Sequence, residues 1–273
     1  MQKGAESAGA KLGAEVIVKA PMNESDIAVQ IRFLQSLDSL GIQALVIAPT
    51  NKDSLAGPVA ALAAKGVKIV VVDSPLSGSS GSVFVGTDQK AAGAAAGQAL
   101  AGLVTDGDEV GFLKHSQTSG ATMERENGAL EKLRSVHSGV VIHGDIFASA
   151  EPGREPEQAA LLLSNYPGVK AVFASGTPGT MAMLDVLSQR PQKGAIKFIG
   201  CGYNLNPAVV TAINSGVMTA WIAQLPQDVG YKGVESALAL VNGQTVSAVV
   251  STDFLVITKD NLSDPKVQAL LGL

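Results

Sequence analysis

Three histidines and one cysteine are the side chains of this 273-residue chain that most often serve metal binding or nucleophilic catalysis. His115, His137 and His143 lie at spacings that match no metal-ligand motif, and Cys201 alone can form neither an internal disulfide nor a cysteine zinc site. The sequence also contains no nucleophile paired with a base, no glycine-rich nucleotide-binding fingerprint after a first strand and no Walker loop. We therefore expect no catalytic centre, no metal and no cofactor, and predict that the protein is not an enzyme.

Polar segments rich in glycine and proline follow the apolar runs of the chain. In open α/β sheets, ligands bind beyond the carboxyl ends of the strands, so these segments are where a ligand is expected. They hold few titratable groups, which again argues against catalysis. The segments are Ala48 to Thr50, Asp73 to Pro75, His115 to Thr118, Ser175 to Pro178, Cys201 to Asn204 and Gln224 to Pro226.

Helical patterns and short β-branched runs alternate along the chain and would position those segments. Helices are predicted over 5–12, 25–40, 53–65, 122–133, 157–163, 180–187 and 207–214, and strands over 16–18, 44–47, 68–72, 109–113, 140–142, 171–174, 197–199 and 219–223. Continuous apolar strands between helices indicate parallel strands covered on both faces. Repeated βα units give doubly wound sheets, and the two blocks before and after about residue 87 predict two α/β lobes.

Composition and charge exclude several classes of protein. Apolar residues make up 46% and charged residues 16%, which excludes a disordered chain. The net charge of −4 and the lack of a basic block make nucleic acid an unexpected partner. Residues 1–6 do not begin a secretory signal, so the chain is either cytoplasmic or a mature or truncated form.

An ordered set of segments resembles the type I periplasmic binding proteins, and among them the ribose- and simple-sugar-binding solute receptors of ABC importers. No single segment decides the resemblance, but together they cover essentially the whole chain in the family's order. The segments are Gly41 to Thr50 (GIQALVIAPT), Ala64 to Asp73 (AKGVKIVVVD), Phe84 to Asp88, Arg125 to Gly128, Ala223 to Pro226, Gly230 to Glu235 and Thr258 to Asn261.

The resemblance implies two doubly wound parallel-sheet lobes joined by a three-crossing hinge, with the ligand bound in the cleft by hinge closure. The crossings would fall near residues 87–88, 224–225 and 252–253. The first lobe would hold 1–87 and 225–252, and the second 88–224 and 253–273.

The match begins after the family's opening strand, so we expect that strand of the first lobe to be missing, together with an upstream segment that could carry a signal peptide. Removing an interior strand would leave backbone groups of its neighbours unpaired. The resemblance thereby implies a periplasmic or membrane-anchored extracytoplasmic protein.

Three ligand contacts follow from the resemblance. Asp73 would accept hydrogen bonds from ligand hydroxyls, Arg125 would donate from the second lobe, and Gln224 would both donate and accept at the hinge. The alternatives are a turn cap for Asp73, a surface ion pair of Arg125 with Glu124 or Glu126, and hinge geometry alone for Gln224. Without ligand, we expect Asp73 and Arg125 to line an open, wet cleft, where substitution changes fold stability little.

This chain departs from the family's sugar-binding pattern at Ala48, at Gly176-Thr177 and at Gly202, where relatives commonly carry hydrogen-bonding side chains. Each ligand hydroxyl buried without a partner would cost about 1–3 kcal/mol. We therefore expect a ligand smaller or less hydroxylated than a full pyranose, such as a short polyol or a modified small sugar. Substitute contacts are expected from His115, Gln117, Thr118, Thr177, Tyr203 and Asn204.

The resemblance thus predicts a monomeric solute receptor that captures a sugar, polyol or sugar derivative and presents it to an ABC permease in the membrane. The alternative is the effector-binding domain of a LacI-type transcriptional regulator, which would need a helix-turn-helix ahead of Met1. A third interpretation is the sensory input of a chemoreceptor system.

Overall fold

Helices and strands alternate through the computed structural model, which describes residues 1–23, 26–79, 81–149, 151, 153–192, 194–203 and 205–271. The helices are α1 (Gln2–Leu12), α2 (Ile27–Leu37), α3 (Ala56–Ala64), α4 (Gln89–Ala101), α5 (Gly120–Val136), α6 (Glu155–Asn165), α7 (Thr177–Ser188), α8 (Pro207–Ser215), α9 (Pro226–Val241) and α10 (Pro265–Gln268). The strands are β1 (Ala44–Ile47), β2 (Lys68–Val72), β3 (Val83–Thr87), β4 (Glu109–Leu113), β5 (Val141–His143), β6 (Val169–Ala174), β7 (Lys197–Tyr203), β8 (Ala220–Gln224), β9 (Val249–Thr252) and β10 (Phe254–Ile257). No helix among the described residues is long and apolar enough to span a bilayer.

The chain divides into two compact units. The first holds Met1–Thr87, Thr118–Ala121 and Leu225–Thr252, and the second holds Asp88–Gln117, Thr122–Gln224 and Asp253–Leu273. The expected lobes differ from these units in the segment Thr118–Ala121, which was expected in the second lobe.

A four-stranded parallel sheet in the order β1-β2-β3-β9 forms the centre of the first unit. Alternate residues of β2 enter two different cores, because side chains of a strand point to opposite faces. Ile69 and Val71 pack with residues of α2 and α3, whereas Val70 and Val72 pack with residues of α9. This double burial explains why β2 is a continuous apolar run.

The expected buried strand over residues 16–18 is wrong. This segment has no regular secondary structure, and Ile17 and Val18 are 49% and 40% exposed. A strand needs a neighbour to take up its backbone hydrogen bonds, and no described strand pairs with these residues. The edge of the described sheet is β1, which pairs with β2 alone.

The second unit is built on a six-stranded sheet in the order β10-β8-β7-β6-β4-β5. All neighbours are parallel except β10, which runs antiparallel to β8. Helices α4 and α5 cover one face, where Phe112 and Phe173 meet edge to face with ring centroids 5.5 Å apart. The doubly wound α/β class that the sequence predicted is thereby confirmed.

Helices α4 and α5 approach each other so closely that their contact requires glycine. A Cβ on Gly93 would lie 2.0 Å from the Arg125 carbonyl oxygen, and a Cβ on Gly97 would lie 2.3 Å from that of Ala129. From the other helix, a Cβ on Gly128 would lie 2.3 Å from the Lys90 carbonyl oxygen. The backbone of α5 at Arg125 is therefore fixed against the first turns of α4.

Candidate ligand-binding site

Arg125 lies on α5 in the second unit and is only 3% exposed. Its Nε and Nη2 donate to Gln89 Oε1 at 3.0 and 2.5 Å, and its Nη1 donates to the Ser175 carbonyl oxygen. A guanidinium has five N–H donors in a rigid fork. The two N–H groups that remain, on Nη1 and Nη2, have no partner among the described residues.

Gln89 and Gln224 extend this arrangement to the carboxyl end of β8. Gln89 is the first residue of α4, after the N-cap Asp88, whose side chain accepts a hydrogen bond from the Ala91 N–H. The Gln89 Nε2 donates to Gln224 Oε1 at 2.8 Å, and both glutamines are buried. We refer to Arg125, Gln89 and Gln224 as the polar relay.

A second set of buried polar groups, formed by Glu126, Ser175 and the His115 backbone, lies next to the polar relay. The Glu126 Oε1 accepts from the Ser175 hydroxyl at 2.6 Å and from the His115 backbone N–H at 3.1 Å. Burial raises the pKa of Glu126, although the hydrogen bonds from Ser175 and His115 oppose this effect. Ser175 is thereby held twice, through its hydroxyl by Glu126 and through its carbonyl by Arg125, so the end of β6 is fixed to α5.

This geometry corrects two expectations about Arg125. The residue is buried and bonded to neutral oxygens, so it is neither a surface ion pair nor a side chain in an open, wet cleft. Glu126 is likewise buried rather than on the surface. Arg125 was expected to contact a ligand in an open cleft, with an ion pair to Glu124 or Glu126 as the alternative, because charged side chains are mostly exposed.

Asp73 follows β2 in the first unit and is held by its backbone. Its φ of +65° makes it the one non-glycine residue with positive φ in the described part of the chain. Its N–H donates to the Val85 carbonyl at 2.9 Å, and the next N–H, of Ser74, donates to the Val72 carbonyl at 2.7 Å. The resulting three-residue turn is strained for an L-residue, and strained residues of this kind cluster at binding sites.

The remaining expected contacts differ in exposure. His115 is buried with Nδ1 3.2 Å from the Ser149 hydroxyl, whereas Gln117 and Thr118 are exposed. Thr177 and Tyr203 meet where β7 ends, since the Tyr203 N–H donates to Thr177 Oγ1 at 3.4 Å. Asn204 lies outside the described residues. His115, Gln117, Thr177, Tyr203, Arg125 and Gln224 belong to the second unit, and Asp73 and Thr118 to the first.

Gly202 is enclosed by its neighbours. A Cβ at this position would lie 2.3 Å from Thr177 Oγ1 and 2.5 Å from the Trp221 ring. Trp221 is fully buried in β8, beside β7. The indole therefore occupies the space into which a larger residue at position 202 would extend.

Three functional candidates were missed at the sequence level: Gln89, Glu126 and Ser175. Ser175 lay in a segment already singled out, and Gln89 directly follows the expected crossing at residues 87–88. A polar residue at the start of a helix, next to a segment that crosses between the expected lobes, is a signal that could have found Gln89. Among the described residues, no group of three or more His, Cys, Asp or Glu side chains is placed to hold a metal ion.

Two units built on parallel sheets, with a buried polar relay at the strand ends of one, define a ligand-binding protein of the α/β class. A periplasmic binding protein domain model matches residues 1–245. The chain therefore belongs to the periplasmic binding protein domain family, and the expected family resemblance is confirmed.

Relatives and solved structures agree with this assignment. The ribose import binding protein RbsB of Escherichia coli (strain K12) is 26% identical over 259 residues, which are 95% of this chain and 85% of that protein. A carbohydrate transporter solute-binding protein of Agrobacterium radiobacter, solved with D-arabinose, is 28% identical with a TM-score of 0.90 over 99% of this chain and 92% of that one. An ABC transporter solute-binding protein of Agrobacterium vitis, solved with α-D-tagatopyranose, is 26% identical with a TM-score of 0.87 over 99% and 93% of the two chains.

Proposed function

We propose that this chain is the solute-binding receptor of an ABC importer and that its ligand is a monosaccharide or a close derivative. The observation that carries the proposal is the polar relay, a buried arginine with two uncommitted N–H groups beside a buried glutamine at a strand end. The family membership and the sugar-binding relatives support it.

The chemistry of the relay suits an uncharged polyhydroxyl ligand. Arg125 offers N–H groups in a fixed plane, and the Gln224 amide nitrogen has no partner among the described residues. Hydroxyl and ring oxygens of a sugar accept from such donors, and bonds to a charged donor contribute about 1.5–3 kcal/mol each. We propose Asp73 as a further contact, whose carboxylate accepts from sugar hydroxyls.

The enclosure of Gly202 supports a ligand with fewer hydroxyl groups on that side. Trp221 and Thr177 fill the space that a longer side chain at 202 would need. A ligand hydroxyl facing Gly202 would meet no side-chain acceptor at that position. We therefore favour pentoses, deoxy sugars and short polyols over fully hydroxylated hexopyranoses.

The cellular setting is part of the proposal. The family consists of periplasmic binding proteins, and we propose that this chain acts in the periplasm or on an extracytoplasmic membrane anchor, as a monomer that delivers its ligand to a membrane permease. It would release the sugar unchanged. Recovery of a bound sugar with an unaltered NMR spectrum after prolonged incubation would support binding without turnover.

A thermal-shift screen tests the proposed function. The probes are D-arabinose, D-ribose, D-allose, D-tagatose, L-fucose and xylitol, with L-leucine and L-glutamate as ligands of other classes. A ligand at 100 times its dissociation constant stabilises the native state by about 2.7 kcal/mol. We expect at least one sugar or polyol to raise the Tm and neither amino acid to do so.

Calorimetry on Arg125→Ala provides the matched comparison. Sugar affinity should fall roughly tenfold or more because a charged donor is lost. Arg134→Ala, an exposed arginine on the same helix, should bind as the wild type does. A wild type that binds an amino acid and none of the sugars would contradict the proposed function.

A further inference from the structure

Gln89 uses both ends of its side-chain amide inside the polar relay. Its Oε1 accepts from Arg125 Nε and Nη2, and its Nε2 donates to Gln224 Oε1 at 2.8 Å. All three residues belong to the second unit and all are buried. One amide therefore connects the two residues proposed to contact the ligand in this unit.

The direction of these hydrogen bonds is fixed by chemistry rather than by the fit of atoms alone. A guanidinium can only donate, so the oxygen of the Gln89 amide must face Arg125 and its nitrogen must face Gln224. A flipped amide would place N–H groups against N–H groups on one side and oxygen against oxygen on the other. The charge of Arg125 thus sets the orientation of Gln89.

The same constraint passes to Gln224. Because Gln89 donates to Gln224 Oε1, one lone pair of that oxygen is used and the amide nitrogen of Gln224 is directed away from Gln89. We propose that Gln89 is a positioning residue that makes Gln224 a donor toward the ligand, so that this subsite selects an acceptor such as a ring oxygen or a hydroxyl lone pair. This inference rests on the proposed function for the identity of the ligand, but the orientation of the relay does not.

Two substitutions distinguish the role of the Gln89 amide oxygen from that of its amide nitrogen. Gln89→Glu keeps an acceptor for Arg125 but has no N–H for Gln224, so Gln224 must turn its own nitrogen toward the new carboxylate. Gln89→Leu removes both bonds at similar volume. Two variants on α4 are the controls: Gln98→Leu, at an exposed glutamine, and Leu100→Ala, which destabilises a fully buried core position without touching the relay.

The first readout needs no ligand. In spectra of protein labelled with ¹⁵N-arginine, the Arg125 Nε–H, identified by its loss in Arg125→Lys, should exchange slowly with solvent because it is buried and bonded. Slow exchange should persist in Gln89→Glu and in both controls, and should be lost in Gln89→Leu. Fast exchange in the wild type, or slow exchange retained in Gln89→Leu, would overturn the proposal.

The second readout is calorimetry with the sugar that gives the largest thermal shift. The dissociation constant should rise roughly tenfold or more in both Gln89→Glu and Gln89→Leu, and stay within about twofold in Gln98→Leu and Leu100→Ala. Wild-type affinity in Gln89→Glu would overturn the assignment of Gln224 as a donor. If no sugar binds the wild type, the proposed function fails, while the exchange measurement still decides whether Gln89 holds Arg125.

Discussion

Asp73 in the first unit and Arg125 in the second are held in place by opposite means. Asp73 depends on its backbone, in a tight turn with a φ of +65°, and this conformation costs stability. Arg125 depends on its side chain, which is buried and donates to Gln89 and Ser175, and these bonds contribute stability. Two residues proposed for the same task should therefore affect folding to different extents when they are replaced.

The largest effect on the free energy of unfolding is expected at the contact between α4 and the α5 backbone at Arg125. Gly93→Ala places a Cβ 2.0 Å from the Arg125 carbonyl oxygen, so the helices must separate, and we expect a loss of about 3 kcal/mol in the free energy of unfolding. Gly102→Ala, at the end of the same helix with φ of −76°, should be nearly neutral. Denaturant titrations of the two variants measure this difference, and equal stability would show that the helix contact is not tight.

Arg125→Ala should show the next largest effect on folding. The Ser175 carbonyl and Gln89 Oε1 would each lose a donor in a buried place, so we expect a loss of about 2 kcal/mol or more. Arg134→Ala should change stability by less than about 0.5 kcal/mol. A neutral Arg125→Ala would restore the earlier expectation of a wet side chain and remove the contrast with Asp73.

The pH dependence of stability tests the burial of Glu126, which holds Ser175 next to the polar relay. Since burial raises the pKa of Glu126 in the native state, the unfolded chain releases this proton first as the pH rises. Glu126 should therefore lower the free energy of unfolding progressively as the pH rises from about 4.3, the ordinary pKa of a glutamate, through the raised native pKa. Below that window it should have no effect.

Glu126→Gln keeps an acceptor for Ser175 and His115 and has no charge to bury. The difference in free energy of unfolding between the wild type and this variant should change in the variant's favour as the pH rises through the window. Glu131→Gln, at an exposed glutamate of the same helix that pairs with Lys90, is the control. A difference that stays constant from pH 4 to pH 8 would contradict a raised pKa at Glu126.

The smallest expected effect on folding is at Asp73. Asp73→Gly removes the strain of positive φ but also removes the carboxylate, which attracts the Met1 ammonium, so the two effects offset and stability should change by less than about 0.5 kcal/mol. Sugar affinity should nevertheless fall roughly tenfold. A clear loss of stability without ligand would mean that the Asp73 side chain serves the fold, and the comparison with Arg125 would fail.

Every helix that the sequence predicted is present, whereas the predicted strand over 16–18 is not. Strands β3, β9 and β10 and helices α4, α9 and α10 were not predicted. Strands β1, β2 and β4 begin and end where continuous β-branched or apolar runs predict, because such runs are typical of strands buried on both faces. Helix α4 was missed, since its QKAAGAAAGQALA sequence is built from small residues and lacks a stripe of large apolar side chains. Those small residues permit the approach to α5, which depends on a partner distant in the sequence.

The candidate site was likewise predicted only in part from the sequence. Arg125 and Gln224 were found from the family resemblance, but their connection through Gln89 was not, because a hydrogen bond between residues 89 and 224 leaves no local pattern. The burial of Glu126 was likewise hidden, as adjacent charged residues on a helix usually face water. Asp73 was recognised as a candidate, but its positive φ could not be read from its position after a strand.

Trp221, the chain's single tryptophan, allows the six-stranded sheet to be followed by intrinsic fluorescence without a label. The indole is fully buried, three residues before Gln224 and against Gly202, so its emission should be blue-shifted in the native protein and move to longer wavelength on unfolding. All tryptophan fluorescence therefore originates from one side of the proposed ligand subsite. Titrations with unlabelled sugars can be followed by the emission of Trp221. The three tyrosines are the other fluorescent side chains whose emission must be separated from it.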